Sequence, residues 1–249
     1  MSFVLNRKIF SVRGDDASKF LGDLITNTLP DVGGIQYAAL LSPQGKYLFD
    51  FFVVGQPDGF LLDVDRDVAD AFAMRLTMYK LRAEVAIEAA DIDVSVGVAD
   101  APSDALPDPR SEALGWRLYN ARSDVSGLDW NAIYVENCIP RTGVELISDQ
   151  TYILESGFER LNGVDFKKGC YVGQEVTARM KHKTELRKGL GLVQLSAEVP
   201  VGSDIVRDGK LVGTVYSQAK GQGIAYLRFD RVGEGMEANG VSVSQLDAF

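Results

Sequence analysis

The sequence predicts an α+β fold: two α+β units followed by a small antiparallel β-barrel. Three observations carry this. Through the first half of the chain, segments with helical spacing alternate with short β-like runs. A stretch holding three prolines, Ala101 to Arg110, interrupts them. Beyond Lys188 helical spacing stops, and short β-like runs between Gly-rich turns take over. The corresponding division is 1–100, 101–187 and 188–249.

In chain order, Lys8 to Val12 reads as a short strand. Asp15 or Asp16 is expected to cap a helix running to Thr26, with Phe20, Leu21, Leu24 and Ile25 at helical spacing. Tyr37 to Leu41 is a strand, Ser42-Pro43-Gln44-Gly45 a turn, and Lys46 to Val54, apolar on both faces, a central strand. Pro57-Asp58-Gly59 turns the chain back into Phe60 to Val64. Asp67 to Leu81 is a helix with Val68, Phe72, Leu76 and Tyr79 on one side. Val85 to Ala89 and Ile92 to Val98 complete the first unit. Ala101 to Arg110, with Pro102, Pro107 and Pro109, is the expected linker. Trp116 to Tyr119 is a strand, and Leu128 to Asn137 a helix stopped by Pro140. The barrel runs are Leu190–Leu195, Ile205–Arg207, Val212–Ser217, Ile224–Phe229 and Val241–Leu246.

Composition narrows the function. Of 249 residues, 46% are hydrophobic and 24% charged, which is ordinary for a globular protein. No stretch approaches the roughly 18 apolar residues of a membrane span, and the first residues show no apolar run of signal-peptide length. Two cysteines, Cys138 and Cys170, make neither a disulfide framework nor a four-ligand metal site within one chain. A reducing, cytoplasmic setting is the expectation, and a second chain could complete a metal site. The net charge of −9 disfavours nucleic acid, because phosphates repel an acidic body. A monomer without direct nucleic-acid or membrane partners is expected.

One segment runs against that charge. Arg160 to Lys188 gathers eight lysines and arginines against Asp165, Glu175 and Glu185. Within it lies Lys167–Lys183, KKGCYVGQEVTARMKHK. Gly169 and Gly173 bracket Cys170-Tyr171-Val172 and allow a tight turn or a close approach to a ligand. Gln174 to Lys183 can form a helix with Glu175, Arg179 and His182 on one face and Val176 and Met180 on another. Cys170 would precede its N-terminus, where the helix dipole and Lys167 and Lys168 favour a thiolate. The alternatives are a solvated helix face for the charges and a buried structural role for the cysteine. His182 stands twelve residues from Cys170, and nothing in the sequence forces the two together.

Lys168-Gly169-Cys170-Tyr171-Val172-Gly173-Gln174-Glu175 resembles the K-G-C-Y-x-G-Q-E motif of the YgfZ proteins. These are relatives of the aminomethyltransferase (T-protein, GcvT) of the glycine cleavage system, and the group includes mitochondrial iron–sulfur maturation factors. Phe20-Leu21 with Thr26-Asn27, Asp108-Pro109-Arg110, and Val164-Asp165-Phe166 are similar to other family segments. The resemblance implies a ring of α+β (ferredoxin-like) units with a C-terminal β-barrel around a folate site. It implies binding of tetrahydrofolate and help in assembling or repairing iron–sulfur clusters in clients, tRNA-modifying radical enzymes among them. Iron–sulfur carrier or client proteins are the implied partners. Cys170 becomes the functional residue, acting in thiol chemistry or binding metal or a transient cluster shared with a partner.

The resemblance also implies a folate neighbourhood. It includes Asn27, the motif residues Lys168, Gly169, Tyr171, Gly173, Gln174 and Glu175, and Arg179 further along. Tyr152-Ile153-Leu154-Glu155-Ser156-Gly157 is similar to the L-R-L-E-A-G segment whose glutamate holds the pterin, so Glu155 is the pterin candidate. An ordinary surface glutamate is the alternative. One departure stands out. The aminomethyltransferases carry G-G-x-x-D-D, and this chain has Gly45-Lys46-Tyr47-Leu48-Phe49-Asp50. In the natural alignment Phe49 falls on the catalytic position, and Asp50 faces the other side of a strand; a one-residue slip would bring Asp50 there instead. No aminomethyl cleavage is expected; a folate-dependent one-carbon transferase is the alternative function.

Overall fold

The structure, a computed structural model, describes residues 6–119, 127–183 and 186–246. Residues 1–5 of the amino-terminal reading and Glu185 of the basic run lie outside the described residues. The chain packs as two compact units, each made from two stretches. One is Met1–Leu128 with Phe158–Ala178, the other Asp129–Gly157 with Arg179–Phe249.

The first unit opens with β1 (Arg7–Arg13), α1 (Ala17–Gly22), β2 (Ile35–Leu41), β3 (Tyr47–Gln56), β4 (Gly59–Asp65), α2 (Ala69–Lys80) and β5 (Ala86–Ala90). The sheet order is β2-β3-β4-β1-β5, antiparallel throughout. With β2 set aside as an added edge strand, the order is that of a ferredoxin-like β-α-β-β-α-β unit. Strand β3 is buried along nearly its whole length, as its two apolar faces require. Helix α2 buries Phe72 and Leu76 completely. Phe10, Phe49 and Phe51 surround the Phe72 ring at centroid distances of 4.8–6.1 Å.

Helix α1 is shorter than its pattern. It ends at Gly22, because Thr26 pairs with β2 instead: its N–H donates to the Ala39 carbonyl at 3.0 Å. Asp16 does not cap it. The Asp16 carboxylate accepts the Glu84 amide at 2.8 Å. Helix α2 ends on Leu81 at φ 47°, ψ −105°. A bulky side chain held there costs on the order of 1–3 kcal/mol of backbone strain.

The expected linker is not a linker. β6 (Val94–Gly97) leaves the first sheet and pairs with β8 (Trp116–Tyr119), while β7 (Leu106–Pro107) pairs with the other edge of β8. A boundary at residue 100 would cut this small sheet. Pro102 and Pro109 stand at turns and Pro107 lies in β7; ionic pairing buries Asp108 and Arg110, while Ala101, Ser103, Asp104 and Pro107 stay exposed. Asp63 on β4 accepts from Arg7 Nε at 2.6 Å, Arg117 Nη2 at 2.5 Å and the Tyr119 hydroxyl at 2.9 Å. Asp108 takes both arms of Arg110 at 3.0 and 2.8 Å and reaches Arg117 Nη1 at 3.5 Å. Asp63 is 0% and Arg117 1% exposed. Burial pushes the Asp63 carboxyl up, but the charges and hydrogen bonds of Arg7 and Arg117 outweigh it and hold the pKa below the usual value.

In the second unit, α3 (Trp130–Glu136) is capped by Asp129, whose carboxylate accepts the Ala132 amide at 3.0 Å. Helix α4 (Gln174–Lys183) carries the last two motif residues, Gln174 and Glu175, and its residues 174–178 belong to the first unit. The barrel strands are β9 (Lys188–Leu195), β10 (Ser203–Arg207), β11 (Lys210–Ala219), β12 (Gln222–Arg228), β13 (Met236–Ala238) and β14 (Val241–Gln245). They close in the order β10-β11-β12-β9-β14-β13. Val193, Ile205, Val215 and Leu227 are fully buried inside. β13, three residues long, is too short to show a period and has no counterpart in the sequence reading. Val135 and Cys138 pack with Leu192 and Ile224 of the barrel, so residues 129–157 belong with it rather than with a second α+β unit. Among the described residues no helix is long and apolar enough to cross a membrane.

Asp63→Ala leaves half-buried Arg7 without its carboxylate and buried Arg117 with only the longer contact to Asp108, and a loss of about 3–5 kcal/mol in urea unfolding is expected. Because the folded pKa of Asp63 lies below the unfolded one, its contribution is present above the ordinary carboxylate range. It disappears as pH falls through the folded value. The acid limb of a stability–pH curve is therefore shallower in Asp63→Asn than in the wild type.

Candidate functional site

The motif loop is held from both ends. The Thr26 hydroxyl donates to the Gly163 carbonyl at 2.7 Å and accepts the Ala39 amide at 2.8 Å. Asn27 Nδ2 donates to the carbonyls of Tyr37 at 2.9 Å and Asn162 at 2.7 Å. The Thr-Asn pair thus fastens residues 162–165 to β2. The Asn27 amide donors are spent on this, so the structure gives Asn27 a positioning role rather than the ligand role expected of it.

Lys168 also turns inward. Its ammonium donates to the carbonyls of Gly22 at 2.8 Å and Ile25 at 2.5 Å, capping the end of α1. It lies 5.0 Å from the Tyr171 ring centroid. Partial burial lowers its pKa to about 8, against the pull of Asp165 and Asp23. It is therefore not a charge held out beside Cys170, which corrects the electrostatic role expected of it. Tyr171 is buried, and burial pushes its phenol up to about 12. The Val172 amide donates to the Asp23 carbonyl at 3.2 Å.

Gly173 has an interior reason. At φ 84°, a Cβ there would lie 2.7 Å from the Ser42 carbonyl oxygen. Across from it Gly45, at φ 74°, would put a Cβ 2.7 Å from the Val176 side chain. The 42–45 turn and the start of α4 therefore interlock glycine to glycine. Close approach is the right reading of Gly173, but what it approaches is the protein's own turn. Gln174 Nε2 closes the loop by donating to the Gly169 carbonyl at 3.3 Å.

Cys170 is left facing solvent, while Cys138 is buried. A Cβ added at the neighbouring Gly169 would meet nothing within 4 Å. Glu175, Arg179 and His182 are exposed along α4 at the expected spacing, and Val176 and Met180 are half-buried. Among the described residues, no three His, Cys, Asp or Glu side chains come together to hold a metal ion.

Glu155 belongs to the second unit. Its Oε2 accepts the Tyr226 hydroxyl at 2.6 Å, and its carbonyl accepts the Leu190 amide at 2.7 Å. It lines a cleft of about 190 Å³ with Glu145, Gln150, Thr151, Tyr216 and Tyr226. Burial, then the bond to Glu155, pushes the Tyr226 phenol upward. Glu145 accepts the amide and hydroxyl of Ser217 at 3.0 and 2.5 Å. Glu145 and the two tyrosines were missed by sequence reasoning. The tyrosines sit on barrel strands, where alternation alone gave a hint of them.

Phe49 and Asp50 divide as strand geometry requires. Phe49 packs edge-on against Phe72 at 5.4 Å. Asp50 faces the other way, accepting the hydroxyls of Tyr37 at 3.0 Å and Tyr47 at 2.7 Å. These phenols supply the partners a carboxylate in so apolar a strand needs.

The fold, with its closed six-stranded C-terminal barrel, is that of an aminomethyltransferase. The crystal structure of glycine cleavage system aminomethyltransferase T from Bartonella henselae superposes with a TM-score of 0.77 over 98% of this chain and 84% of that chain, at 14% identity. Residues 187–246 match the family described as CAF17, C-terminal β-barrel domain. The iron–sulfur cluster assembly factor IBA57, mitochondrial, of Mus musculus is 32% identical, covering 91% of this chain and 76% of the mouse protein. The human protein of that name is 28% identical at the same coverage. A Neurospora crassa homologue is 33% identical over 74% of this chain and 51% of its own length. The chain belongs to the IBA57 family. The YgfZ resemblance is thereby refined to a related branch. The cytoplasmic expectation is overturned, since these relatives are named mitochondrial. Cysteine count reports redox poise, not address.

In the native protein, one thiol should react promptly with a small disulfide reagent and the second only on unfolding. Cys170→Ser should abolish the fast phase and shift stability by no more than about 0.5 kcal/mol. Gly173→Ala should cost about 1–3 kcal/mol through overpacking and strain, read by chemical denaturation.

Proposed function

We propose that this protein acts in iron–sulfur cluster assembly, with Cys170 as the thiolate that takes iron or a cluster in transit. One observation carries the reading. Lys168, Tyr171, Val172, Gly173 and Gln174 all hold the motif loop in place, and the cysteine among them is turned to solvent. A soft thiolate suits iron–sulfur cargo. A cluster needs about four such ligands, and this chain has two cysteines, one of them buried. The remaining ligands would come from a carrier or client protein. The mouse, human and fungal relatives, named as iron–sulfur cluster assembly factors, support this role.

Tetrahydrofolate is the proposed cofactor, with its pterin at Glu155. The Glu155 carboxylate lines a cleft with two tyrosines, and a carboxylate can accept paired ring N–H groups. At about 190 Å³ the cleft is smaller than the roughly 300–1,000 Å³ of a site enclosing a whole ligand. It suits the ring alone. Bound folate would supply one-carbon chemistry. Phe49, packed in the core, offers no carboxylate for aminomethyl transfer.

The test is cluster transfer from a loaded carrier to an apo client enzyme. Cys170→Ser should lower transfer at least tenfold with an unchanged unfolding midpoint; undiminished transfer would sink the role of Cys170. Separately, anaerobic calorimetry with tetrahydrofolate should show saturable binding that Glu155→Ala weakens at least tenfold, about 1.4 kcal/mol. No binding at near-millimolar ligand would remove folate and leave the cluster role standing.

A further inference from the structure

Strands β9 and β12 share a face whose character changes along its length. Their register sets Leu192 opposite Ile224, Leu190 opposite Tyr226 and Lys188 opposite Arg228. Alternation puts these side chains on one face, away from Val193 and Leu227 inside the barrel. At one end Leu192 and Ile224 pack with Val135 and Cys138. In the middle the Tyr226 hydroxyl donates to Glu155 beside the cleft. At the far end two cations face each other.

Like charges directly opposite in an antiparallel pair are destabilising, because their Cβ atoms stand only about 4.5–5.5 Å apart. The protein does little to relieve this pair. Among the described residues Arg187 and Lys188 enter no ion pair. Asp230 approaches Arg228 Nε only to 3.8 Å, beyond hydrogen-bond range. That Nε is buried and has no hydrogen-bond partner among the described residues. A buried guanidinium N–H without an acceptor is costly, and its persistence calls for a reason. Glu155, one residue pair along, is engaged by Tyr226. Burial and Glu155 push the Tyr226 phenol up while Arg228 opposes them, so the guanidinium lies within electrostatic reach of the cleft.

We propose that Lys188 and Arg228 form an oxyanion site on this face of the barrel, taking a phosphate or carboxylate group. Its oxygens would accept from the Lys188 ammonium and the Arg228 guanidinium, the orphaned Nε included. Its charge would cancel the repulsion between the two cations. Arg187, exposed and next in sequence, adds a third positive charge. Two sources supply such a group. One is a free phosphate ester. The other is the anionic tail of a ligand whose ring lies at Glu155, since Tyr226 stands about 7 Å along the strand from Arg228. That second source rests on the folate reading above; the site itself does not.

Inorganic phosphate titrated into the full chain at constant ionic strength tests the site, read by phosphorus NMR linewidth and by the unfolding midpoint. The wild type should bind saturably at millimolar phosphate, and its midpoint should rise. Lys188→Glu and Lys188→Gln should weaken binding at least tenfold, while the general exclusion effect of phosphate is common to all three proteins. Without phosphate, Lys188→Glu should unfold at a higher temperature than the wild type, because an opposed ion pair replaces the repulsion. A lysine that only packs would not move stability and anion response in opposite directions. Calorimetry with tetrahydropterin, the ring without a tail, and with tetrahydrofolate separates the sources. Lys188→Glu weakening tetrahydrofolate alone would assign the anion to its tail. Both ligands unaffected, with phosphate weakened, would assign the site to a free phosphate ester. Failure of both to bind the wild type would count against the folate reading and leave the oxyanion site to the phosphate result. The proposal is overturned if Lys188→Glu weakens neither phosphate nor tetrahydrofolate.

Discussion

The buried ionic network of Asp63, Arg117, Asp108 and Arg110 is the constraint on which the first unit depends. Such groups stay inside only if every charge finds a partner, because an isolated buried ion is too costly. That demand pulls β4, β8 and the proline-rich segment into one arrangement. It also reaches further. The Arg110 guanidinium lies over the rings of Phe52 and Tyr37, at 4.8 and 5.6 Å from their centroids. Tyr37 stacks on Phe158 at 5.1 Å, and its carbonyl accepts Asn27. From Asn27 and Thr26 the connection passes to residues 162–165 and so to the motif loop. The displayed cysteine is the last member of a chain of packed groups that begins at Asp63.

The motif divides into residues that hold and a residue that is shown. Lys168 reaches back to the end of α1, Tyr171 goes inside, and Gly173 meets the 42–45 turn where only glycine fits. A loop so constrained keeps its exposed thiol at a fixed place, as pre-organisation of a functional group requires. The inward turn of Lys168 shows why a cluster of charges in a sequence is a poor guide to the field at one atom. Backbone carbonyls at a helix end compete for the ammonium and win.

Sharing a fold with an aminomethyltransferase does not carry that enzyme's chemistry across. On β3 the difference comes down to which face a side chain takes. Phe49 completes the aromatic cluster around Phe72, and Asp50 is engaged by two phenols on the opposite face. In the second unit the acidic groups are arranged differently. Glu145 is tied to Ser217 and the Arg141 amide, while Glu155 takes a single phenol.

The sequence by itself determined the α+β class, the barrel beyond Lys188, the alternation that sends Phe49 and Asp50 apart, and the motif that singles out Cys170. These are legible because strand and helix periods are local, and because tight turns need glycine wherever they occur. Only the tertiary structure decided that Asp108 and Arg110, at the end of Ala101–Arg110, are buried ion-pair partners, that residues 129–157 join the barrel, and that α1 stops at Gly22. It alone turned Lys168 and Asn27 inward and brought Glu145, Tyr216 and Tyr226 beside Glu155. Each of these depends on a partner more than fifty residues away or on a backbone group whose position the fold creates. No local pattern encodes where such a partner will be.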